Sequence, residues 1–523
     1  MNSIKYIEPN LTNNGLEIDI HVLKSKFGEK GYKSILRKFI LKYKSPIGTY
    51  YIEKKMYNLT KTKLILPRFS SDALIKAGIT KTPRVLLSDG DELNINFIGE
   101  PTHNQQVISD HIMNNYFSKD KKENGQCGVT IYMLAGGGKT FLSMYLMSLL
   151  KKKTLIVVPN TYLLQQWREL LTEFIPDAKI GVCYGKEKVD GDIVVGIVNS
   201  LSKEIIVKPL NSAKVKGSKK LKEENINTVE YCSKFGLVVL DESHMYTTDS
   251  FKYIYKNVQS TYMLGLSATP NERDDGSDKI SHLNIGEVLD CSKIDNYISD
   301  DNTFMSDVNV IKYVAPLEYS ENRVLESNGM ISVPLMLEDL TADPYRNTLV
   351  INSIIKMLNY EDGMNIFVFS DRRAHCELLE NKLIQRLSEI NEDMQFSENI
   401  SDEKIEVICT MYGGCSGDLI NTAKNEASVI FTTYAYSSTG VSIDKLNGLV
   451  LATPRKSKAR QILGRIFRNK KEFLEKKRYV IDICDVNSCF KQQLYGRIPA
   501  YKERNSVITY ENVSWKNIQN MFV

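Results

Sequence analysis

The sequence lacks any run of eighteen or more apolar residues, so no segment of it is expected to cross a membrane as a helix. Its opening residues also lack the charged-then-apolar layout of a secretory signal. The nine cysteines form no C-x-x-C pair, and the six histidines do not cluster with them, which argues against zinc ligands and disulfides. We therefore expect buried free thiols and a reducing compartment.

A chain of 523 residues exceeds what one hydrophobic core holds, so two or three domains are expected. Its 42% hydrophobic and 25% charged residues match an ordinary globular protein. The net charge of +5 permits nucleic-acid binding but does not indicate it, because a total says nothing about where the charge lies.

Residues 1–98 contain short alternating segments at 63–66 and 93–98, separated by turn signals such as Ser88-Asp89-Gly90-Asp91. This pattern predicts a small α+β or β-rich accessory domain.

From about residue 100 the pattern changes to continuous apolar runs, each followed by a loop and a helical stretch. Such runs predict parallel strands that are buried on both faces. They lie at residues 129–133, 154–158, 193–198, 237–240 and 262–266, and again at 366–369, 405–408, 428–431, 448–451 and 479–483. The fold class is therefore α/β, with two tandem open parallel sheets. The predicted boundaries are a first lobe at 99–300, a linker at 301–339, a second lobe at 340–500 and a tail at 501–523.

One stretch of the first lobe, residues 203–234, is rich in lysine and poor in large apolar residues. We expect a surface insertion. It is either a solvated flexible loop or a basic loop that contacts nucleic acid. Its lysines include Lys214, Lys216, Lys219, Lys220 and Lys222.

A glycine-rich segment follows the first of these strands and precedes a predicted helix at 141–150. It consists of Ala135, Gly136, Gly137, Gly138, Lys139 and Thr140. Glycines let backbone N–H groups converge on a phosphate, and the helix N-terminus adds a positive dipole. Lys139 is placed to reach the β- and γ-phosphates of a nucleotide, and the Thr140 hydroxyl to ligate Mg²⁺. Met133 stands where the longer form of this motif has its first glycine.

Two adjacent carboxylates, Asp241 and Glu242, follow the strand predicted at 237–240. Such a pair can divide two tasks, with Asp241 holding Mg²⁺ and Glu242 polarising the attacking water. His244 is placed to sense the γ-phosphate or to link this loop to the next motif. That motif, Ser267-Ala268-Thr269-Pro270, ends the next strand, and its hydroxyls Ser267 and Thr269 are candidate couplers of hydrolysis to lobe movement.

In the second sheet, Gln461, Arg465 and Arg468 lie at helical spacing and are predicted to share one helix face. Arginine suits a γ-phosphate because its planar fork stays charged and donates two parallel hydrogen bonds. Presented across a cleft, it would make hydrolysis depend on lobe closure.

This series of motifs, spread over roughly residues 100–490, resembles the superfamily 2 helicases, whose two lobes are RecA-like. The D-E-S-H box, the Gln165-Gln166-Trp167 segment and the residues after Ser267-Ala268-Thr269-Pro270 are most similar to the XPB-like group, which includes helicases of large cytoplasmic DNA viruses. The fifth motif departs from the pattern, because Ser442 stands where an acidic residue is usual, with Asp444 two positions further. This departure puts ribose contact through the motif in doubt.

The resemblance implies further site residues. The nucleotide would be bound also by Gln461, Gly440 and an adenine-reading glutamine that is either Gln105 or Gln106. Nucleic-acid contacts would be made by Pro159, Asn160, Gln166, Trp167, Asn199, Ser370, Arg372 and Thr433.

The resemblance also implies ATP and Mg²⁺ as cofactors and a backbone-contacting grip on nucleic acid, on DNA rather than RNA. A viral role in transcription, repair or replication, in the host cytoplasm and with polymerase or transcription factors as partners, would follow. An RNA helicase and a nucleotide-dependent scaffold subunit stay open as alternatives.

Overall fold

A computed structural model describes residues 6–44, 51–133, 136–214, 221–248, 251, 253–268, 276–298, 306–325, 329, 331–395, 407–413, 415–437, 443, 445–455, 459–467 and 477–519. Two compact units follow each other along the chain. One comprises residues 1–133 and 138–298, and the other residues 299–523 together with 134–137.

The first unit begins with a small α+β region. Its elements are β1 (Asn10–Thr12), β2 (Gly15–Asp19), α1 (Ile20–Lys38), β3 (Ile40–Lys44), β4 (Tyr51–Lys55), β5 (Asn58–Leu59), β6 (Lys63–Leu66), α2 (Ser71–Lys76) and β7 (Arg84–Val85). Five of these strands form a sheet in the order β5-β6-β2-β1-β7, while β3 and β4 pair as a separate antiparallel ribbon. Helix α1 kinks at Gly28, whose φ of +65° lies in the left-handed region that favours glycine.

The remainder of the first unit is built on an eight-stranded sheet. Its elements are α3 (His103–Asn115), α4 (Lys119–Glu123), β8 (Gly128–Tyr132), α5 (Lys139–Leu150), β9 (Thr154–Val158), α6 (Thr161–Phe174), β10 (Ile180–Tyr184), β11 (Glu187–Val189), β12 (Ile193–Ile197), α7 (Val198–Leu201), β13 (Ile205–Lys214), β14 (Leu221–Asn227), α8 (Thr228–Cys232), β15 (Leu237–Asp241), α9 (Ile254–Asn257), β16 (Tyr262–Ser267), α10 (Asp278–Ile285) and β17 (Glu287–Asp290). The strand order is β11-β10-β12-β9-β15-β16-β8-β17, and all pairings are parallel except that of β10 with β11.

The second unit carries a seven-stranded sheet that is parallel throughout. Its elements are β18 (Asp307–Val314), α11 (Leu317–Ser320), α12 (Val333–Ala342), α13 (Pro344–Leu358), β19 (Ile366–Ser370), α14 (Arg373–Gln395), β20 (Ile408–Met411), α15 (Gly417–Asn425), β21 (Val429–Thr433), α16 (Tyr434–Ser437), β22 (Gly448–Leu451), α17 (Ala459–Leu463), β23 (Tyr479–Asp485), α18 (Gln493–Lys502), β24 (Val507–Ser514) and α19 (Trp515–Gln519). The order is β20-β21-β19-β22-β23-β18-β24.

The predicted α/β class with two parallel sheets is confirmed. Strands β9 and β22 have the predicted bounds, and most of the others differ from theirs by one or two residues. The strand predicted at 405–408 is the exception, because residues 405 and 406 lie outside the described part and β20 is Ile408–Met411. All residues of β9, β12, β15 and β16 are buried, as expected for strands covered on both faces.

The predicted boundaries of the second lobe differ from the structure. Strand β18 lies inside the segment predicted as a linker, and β24 lies inside the predicted tail, yet both belong to the sheet. The residues of β18 alternate in burial because the strand lies near the edge of the sheet, so its apolar run is broken by exposed positions.

Two predictions for the first unit are also corrected. Residues 93–98 form no strand. Instead they pack on helices that cover the large sheet. Ile95 is buried in the hydrophobic core around that sheet, and the centre of the Phe97 ring lies 4.9 Å from that of the Phe141 ring. The lysine-rich stretch is no loop over 205–214 and 221–227, where β13 and β14 pair as an antiparallel ribbon, while residues 215–220 lie outside the described part.

All nine cysteines are free thiols, seven of them buried and two half-buried. In the described part of the chain, no cluster of His, Cys, Asp and Glu is arranged to hold a metal ion. Among the described helices, none is long and apolar enough to span a membrane.

A buried arginine contributes to the attachment of the amino-terminal sheet to the large sheet of the same unit. Arg68 is 1% exposed, and its guanidinium donates to the carbonyl oxygens of Gly125 at 2.7 Å, Thr261 at 2.8 Å and Ser260. Burial lowers the pKa of Arg68 to about 10, which leaves it charged at neutral pH. The three carbonyls precede β8 and β16, so Arg68 ties the amino-terminal region to the amino edge of the large sheet.

We expect Arg68→Met to lower the free energy of unfolding of the first unit by about 3 kcal/mol, because three buried carbonyls lose their donor. Thermal unfolding of the full chain measures the effect. The control is Arg84→Met, which changes an exposed arginine on β7 in the same way and should leave the transition within a degree. Equal transitions for the two variants would contradict a structural role for Arg68.

Candidate active site

The glycine-rich loop leads directly into α5. Gly138 is the residue before the helix, with φ +80°, and Gly136 has φ +90°, so both adopt a conformation that suits glycine. The first turn of α5 presents backbone N–H groups that have no partner within the helix. Lys139 opens the helix, and its Nζ donates to the carbonyl oxygen of Met133 at 3.0 Å. Thr140 is half-buried beside it. The local structure is that of an anion-binding loop.

Of the two candidate glutamines, Gln105 touches this loop. Its Oε1 accepts from the backbone N–H of Thr102 at 2.9 Å in a capping box that starts α3. Its Nε2 lies against Gly138, where an added Cβ would be only 2.5 Å away. Gln106 faces elsewhere, accepting from the Tyr145 hydroxyl at 3.2 Å. Contact with the loop therefore favours Gln105, while adenine recognition by it stays a prediction.

The carboxylate of Asp241 lies at the end of β15, buried and fully engaged. Its Oδ2 accepts from the indole Nε1 of Trp167 at 2.9 Å, and its Oδ1 from the backbone N–H of Glu242 at 2.9 Å. Burial, and then the charge of Glu242, raise the pKa of Asp241 to about 6, although the Trp167 hydrogen bond and nearby Lys139 act in the opposite direction. A cation placed beside this carboxylate would therefore be strongly favoured.

Glu242 adopts a left-handed conformation, with φ +50° and ψ +47°, which is uncommon for a residue with a Cβ. It turns the chain from β15 into a 3-10 helix at Ser243–Thr247. The imidazole Nδ1 of His244 lies 3.3 Å from Glu242 Oε2 and 3.1 Å from the hydroxyl of Ser267. His244 thus joins the acidic loop to the end of β16, the second of the two roles predicted for it.

The predicted nucleic-acid contacts of the first unit have different environments. Asn160 is the cap of α6, where its side chain accepts from the backbone N–H of Leu163 at 2.9 Å. Pro159 and Gln166 are half-buried, and Asn199 is exposed. The prediction for Trp167 is corrected, because its side chain is 1% exposed and lies on the buried face of α6. The indole instead donates its N–H to Asp241.

In the second unit, Arg372 is exposed and donates to the carbonyl oxygen of Pro334 at 3.0 Å. Ser370 is 1% exposed, and its hydroxyl lies 2.9 Å from Nδ1 of buried His375. Thr433 is buried and accepts from the backbone N–H of Tyr436 at 3.3 Å. Nucleic-acid contact by these three residues stays a prediction, although the Ser370 hydroxyl is already bonded to His375 within the fold.

The predicted helical face is corrected for Gln461 and Arg465, while its third member, Arg468, lies outside the described residues. Helix α17 ends at Leu463, and the chain continues in turns, with the N–H of Arg465 donating to the carbonyl oxygen of Ile462 at 3.1 Å. Gln461 and Arg465 are both half-buried. Four predicted site residues lie outside the described part, namely Ala135, Thr269, Gly440 and Arg468.

One ion pair at the carboxyl edge of the second sheet was not predicted from the sequence motifs. Arg455 donates to Asp371 Oδ1 at 2.7 Å, and the Thr453 hydroxyl accepts from the N–H of Asp371 at 2.9 Å. Burial raises the pKa of Asp371, although Arg455 opposes the shift. The signal in the sequence was an arginine placed just after a buried strand.

A family model described as type III restriction enzyme, res subunit, matches residues 98–272. A protein of a Kenyan isolate of African swine fever virus, named "Putative ATP-dependent RNA helicase QP509L", is 30% identical over 393 residues, which is 72% of this chain and 68% of that protein. The transcript termination protein A18 of Yaba-like disease virus is 26% identical over 381 residues, 70% of this chain and 69% of the other.

Among solved structures, the ATP-dependent Type ISP restriction-modification enzyme LlaBIII bound to DNA is similar, with a TM-score of 0.50 and 14% identity over 80% of this chain and 31% of that one. At this identity the likeness concerns the fold alone. The family is shown by the viral relatives, which match over more than two thirds of both chains: the chain belongs to the superfamily 2 helicases of large DNA viruses and is a helicase-family ATPase.

Proposed function

We propose that the protein hydrolyses ATP in order to translocate along DNA, and that it acts in viral transcription. The observation that carries this proposal is the buried carboxylate of Asp241, with Glu242 next to it and Lys139 close enough to lower the pKa of Asp241. A lysine and two carboxylates beside an anion-binding loop suit the binding and hydrolysis of a nucleoside triphosphate.

The same residues fit a magnesium ion. Mg²⁺ prefers oxygen ligands, which the Asp241 carboxylate and the Thr140 hydroxyl supply. Burial raises the pKa of Asp241 although Trp167, the backbone N–H of Glu242 and Lys139 oppose the shift, and a divalent cation beside the carboxylate would oppose it further, which supports the proposed Mg²⁺ site. When bound, the ion would neutralise charge on the phosphates.

The chain's own residues then divide the work. Lys139 binds phosphate, and Glu242 orients water as a hydrogen-bond acceptor. His244 transmits the state of Glu242 to Ser267, because a single ring nitrogen lies within reach of both side chains. Arg465 and Arg468 remain predicted phosphate ligands.

DNA is our choice of polymer, as the sequence resemblance implies. A second candidate function is an RNA helicase, which the name of the African swine fever virus relative favours. The proposed role in transcription is supported by the name of the Yaba-like disease virus relative, a transcript termination protein.

The test of the proposed function is the ATPase rate of the full chain alone and with single-stranded DNA, duplex DNA or RNA. We expect DNA to stimulate the rate at least tenfold, since closure of a helicase on its polymer assembles the catalytic site. Stimulation by RNA alone would replace the proposal with the RNA helicase, and ATP binding without turnover on any polymer would contradict both.

We expect Glu242→Gln to abolish turnover while ATP binding is retained. The same change should stabilise the first unit by about 1 kcal/mol at pH 8, because it removes the charge that repels the Asp241 carboxylate. This repulsion requires an ionised Asp241. It is therefore present above the raised pKa of about 6 and is lost as the pH falls through that value.

Thermal unfolding at pH 8 and pH 5 measures this effect. The variant should unfold about 2 °C above the wild type at pH 8 and together with it at pH 5. Identical unfolding temperatures at pH 8 would show that the two carboxylates do not repel each other.

We expect Trp167→Phe to raise the Mg²⁺ concentration for half-maximal ATPase several-fold, with less than a twofold change in the rate at saturating Mg²⁺. The phenyl ring retains the apolar packing but leaves Asp241 Oδ2 without its donor, so the carboxylate is less firmly oriented. The matched control is Trp515→Phe, which replaces the chain's other tryptophan, in the second unit. Superimposed Mg²⁺ titrations for Trp167→Phe and wild type would contradict the positioning role.

A further inference from the structure

The excess of positively charged over negatively charged residues lies at the amino-terminal end of the chain. Residues 1–98 contain 17 lysine and arginine residues against 9 aspartate and glutamate residues, a net charge of +8. Because the whole chain carries +5, residues 99–523 sum to −3. The positive charge is therefore a property of the small α+β region, outside the sheet that carries the candidate nucleotide site.

Part of this charge lies in one stripe on α1, after the kink at Gly28. Lys30, Lys33 and Arg37 are exposed and lie at the i, i+3 and i+7 positions, with exposed Lys38 beside them. Tyr32 and Ile35 occupy the opposite, buried side of the helix. The stripe runs about 10 Å along the helix, which is comparable to the axial rise across three phosphates of one nucleic-acid strand. We call these four cations the basic face.

The basic face is not neutralised by the fold. Among the described residues, none of its four side chains has a carboxylate within ion-pair distance. The paired lysines of this region flank it, since Lys24 lies 3.1 Å from Glu29 and Lys42 lies 2.6 Å from Glu53. The nearest carboxylate in sequence, Glu29, is exposed on the same helix but is paired with Lys24, so it leaves these four cations without a partner of opposite charge among the described residues.

Helix stability explains only part of the arrangement. Arg37 and Lys38 lie in the last turn of α1, where cations interact favourably with the helix dipole. Lys33 and Lys30 lie about one and two turns earlier, beyond the range of that effect.

The ribbon that follows α1 reaches the edge of the large sheet where the candidate nucleotide site lies. Leu41 on β3 is 4.0 Å from the position of a Cβ on Gly276, just before α10 begins. Helix α10 connects the parallel strands β16 and β17, so it starts at the carboxyl edge, where β15 ends in Asp241 and β16 in Ser267. A polymer held at that edge is thus within reach of the amino-terminal region.

We propose that the basic face binds the sugar-phosphate backbone of nucleic acid and acts as an anchor outside the two helicase lobes. The inference rests on the proposed function, because it assumes that the polymer is nucleic acid. The anchor keeps the polymer near the motor through each ATP cycle and so raises its local concentration. Phosphate recognition by lysine and arginine carries no base preference, so DNA and RNA are bound by the same chemistry.

The test is a variant with Lys30→Gln, Lys33→Gln, Arg37→Gln and Lys38→Gln, all at exposed positions in a helix that glutamine tolerates. Fluorescence anisotropy without nucleotide measures its binding to a labelled 20-base-pair DNA duplex and to a single-stranded RNA at several salt concentrations. We expect roughly tenfold weaker binding at 0.1 M salt and a slope of log K against log salt that is shallower by about 3. The polymer concentration for half-maximal ATPase should rise, while the polymer-free and maximal rates stay unchanged.

The matched control removes four exposed lysines elsewhere, through Lys119→Gln, Lys491→Gln, Lys502→Gln and Lys516→Gln. It changes the net charge equally and should leave both affinity and slope close to those of the wild type. An unchanged slope in the basic-face variant, or an equal loss in the control, would overturn the anchor. If the wild type binds neither polymer and neither stimulates its ATPase, the proposed function itself fails, which is a distinct result.

Discussion

The candidate site depends on one constraint, the parallel register of the strands in the large sheet. In that register Asp241 pairs with Leu266, and Ser267 with Tyr132, so the ends of β15, β16 and β8 lie at one edge. Residues more than a hundred positions apart in sequence are thereby brought together: the loop after β8, the acid pair after β15 and the serine that ends β16. An antiparallel strand in this position would turn its end away from the site.

The same arrangement buries the carboxylate of Asp241 away from water. The surrounding residues offset only part of the free-energy cost of burying its charge. Trp167 and the backbone N–H of Glu242 each satisfy one oxygen of Asp241, yet the pKa of the carboxyl remains raised, to about 6. Glu242 is in addition held in a left-handed conformation, which costs about 1 kcal/mol for a residue with a Cβ. Both features lower stability, and strained or electrostatically unfavourable residues of this kind are usual at sites shaped by function.

Much of the fold could be predicted from the sequence, because strands buried on both faces, such as 154–158, are continuous apolar runs. Strand β18 escaped prediction because its burial alternates, and β24 because it is an edge strand with exposed residues. The burial of Arg68 could not have been foreseen, since its partners are backbone carbonyls up to 193 residues away that leave no signature in sequence.

The site was predictable where a motif combines residue type with local context, as in the glycine-rich loop and the acid pair. Trp167 shows where such reasoning fails. Resemblance assigned the whole segment to nucleic-acid contact, but α6 is amphipathic, and Trp167 falls at the spacing of Leu163, Leu164 and Leu171 on the buried face. Helical periodicity in that segment predicts that Trp167 is on the buried face of α6 and that Gln166 is not.

Two kinds of electrostatics are therefore separated in this chain. At the candidate site the charges are few and close together, and Asp241 is buried, so their interactions are less affected by dissolved salt than those of exposed charges. On α1 the charges are exposed and of one sign, so they act over a longer range and weaken as salt is added. Salt should for this reason change how tightly a polymer is held much more than how fast a saturated enzyme hydrolyses ATP. If the proposed translocation is right, the grip on the polymer can thus vary with conditions that leave ATP hydrolysis unchanged.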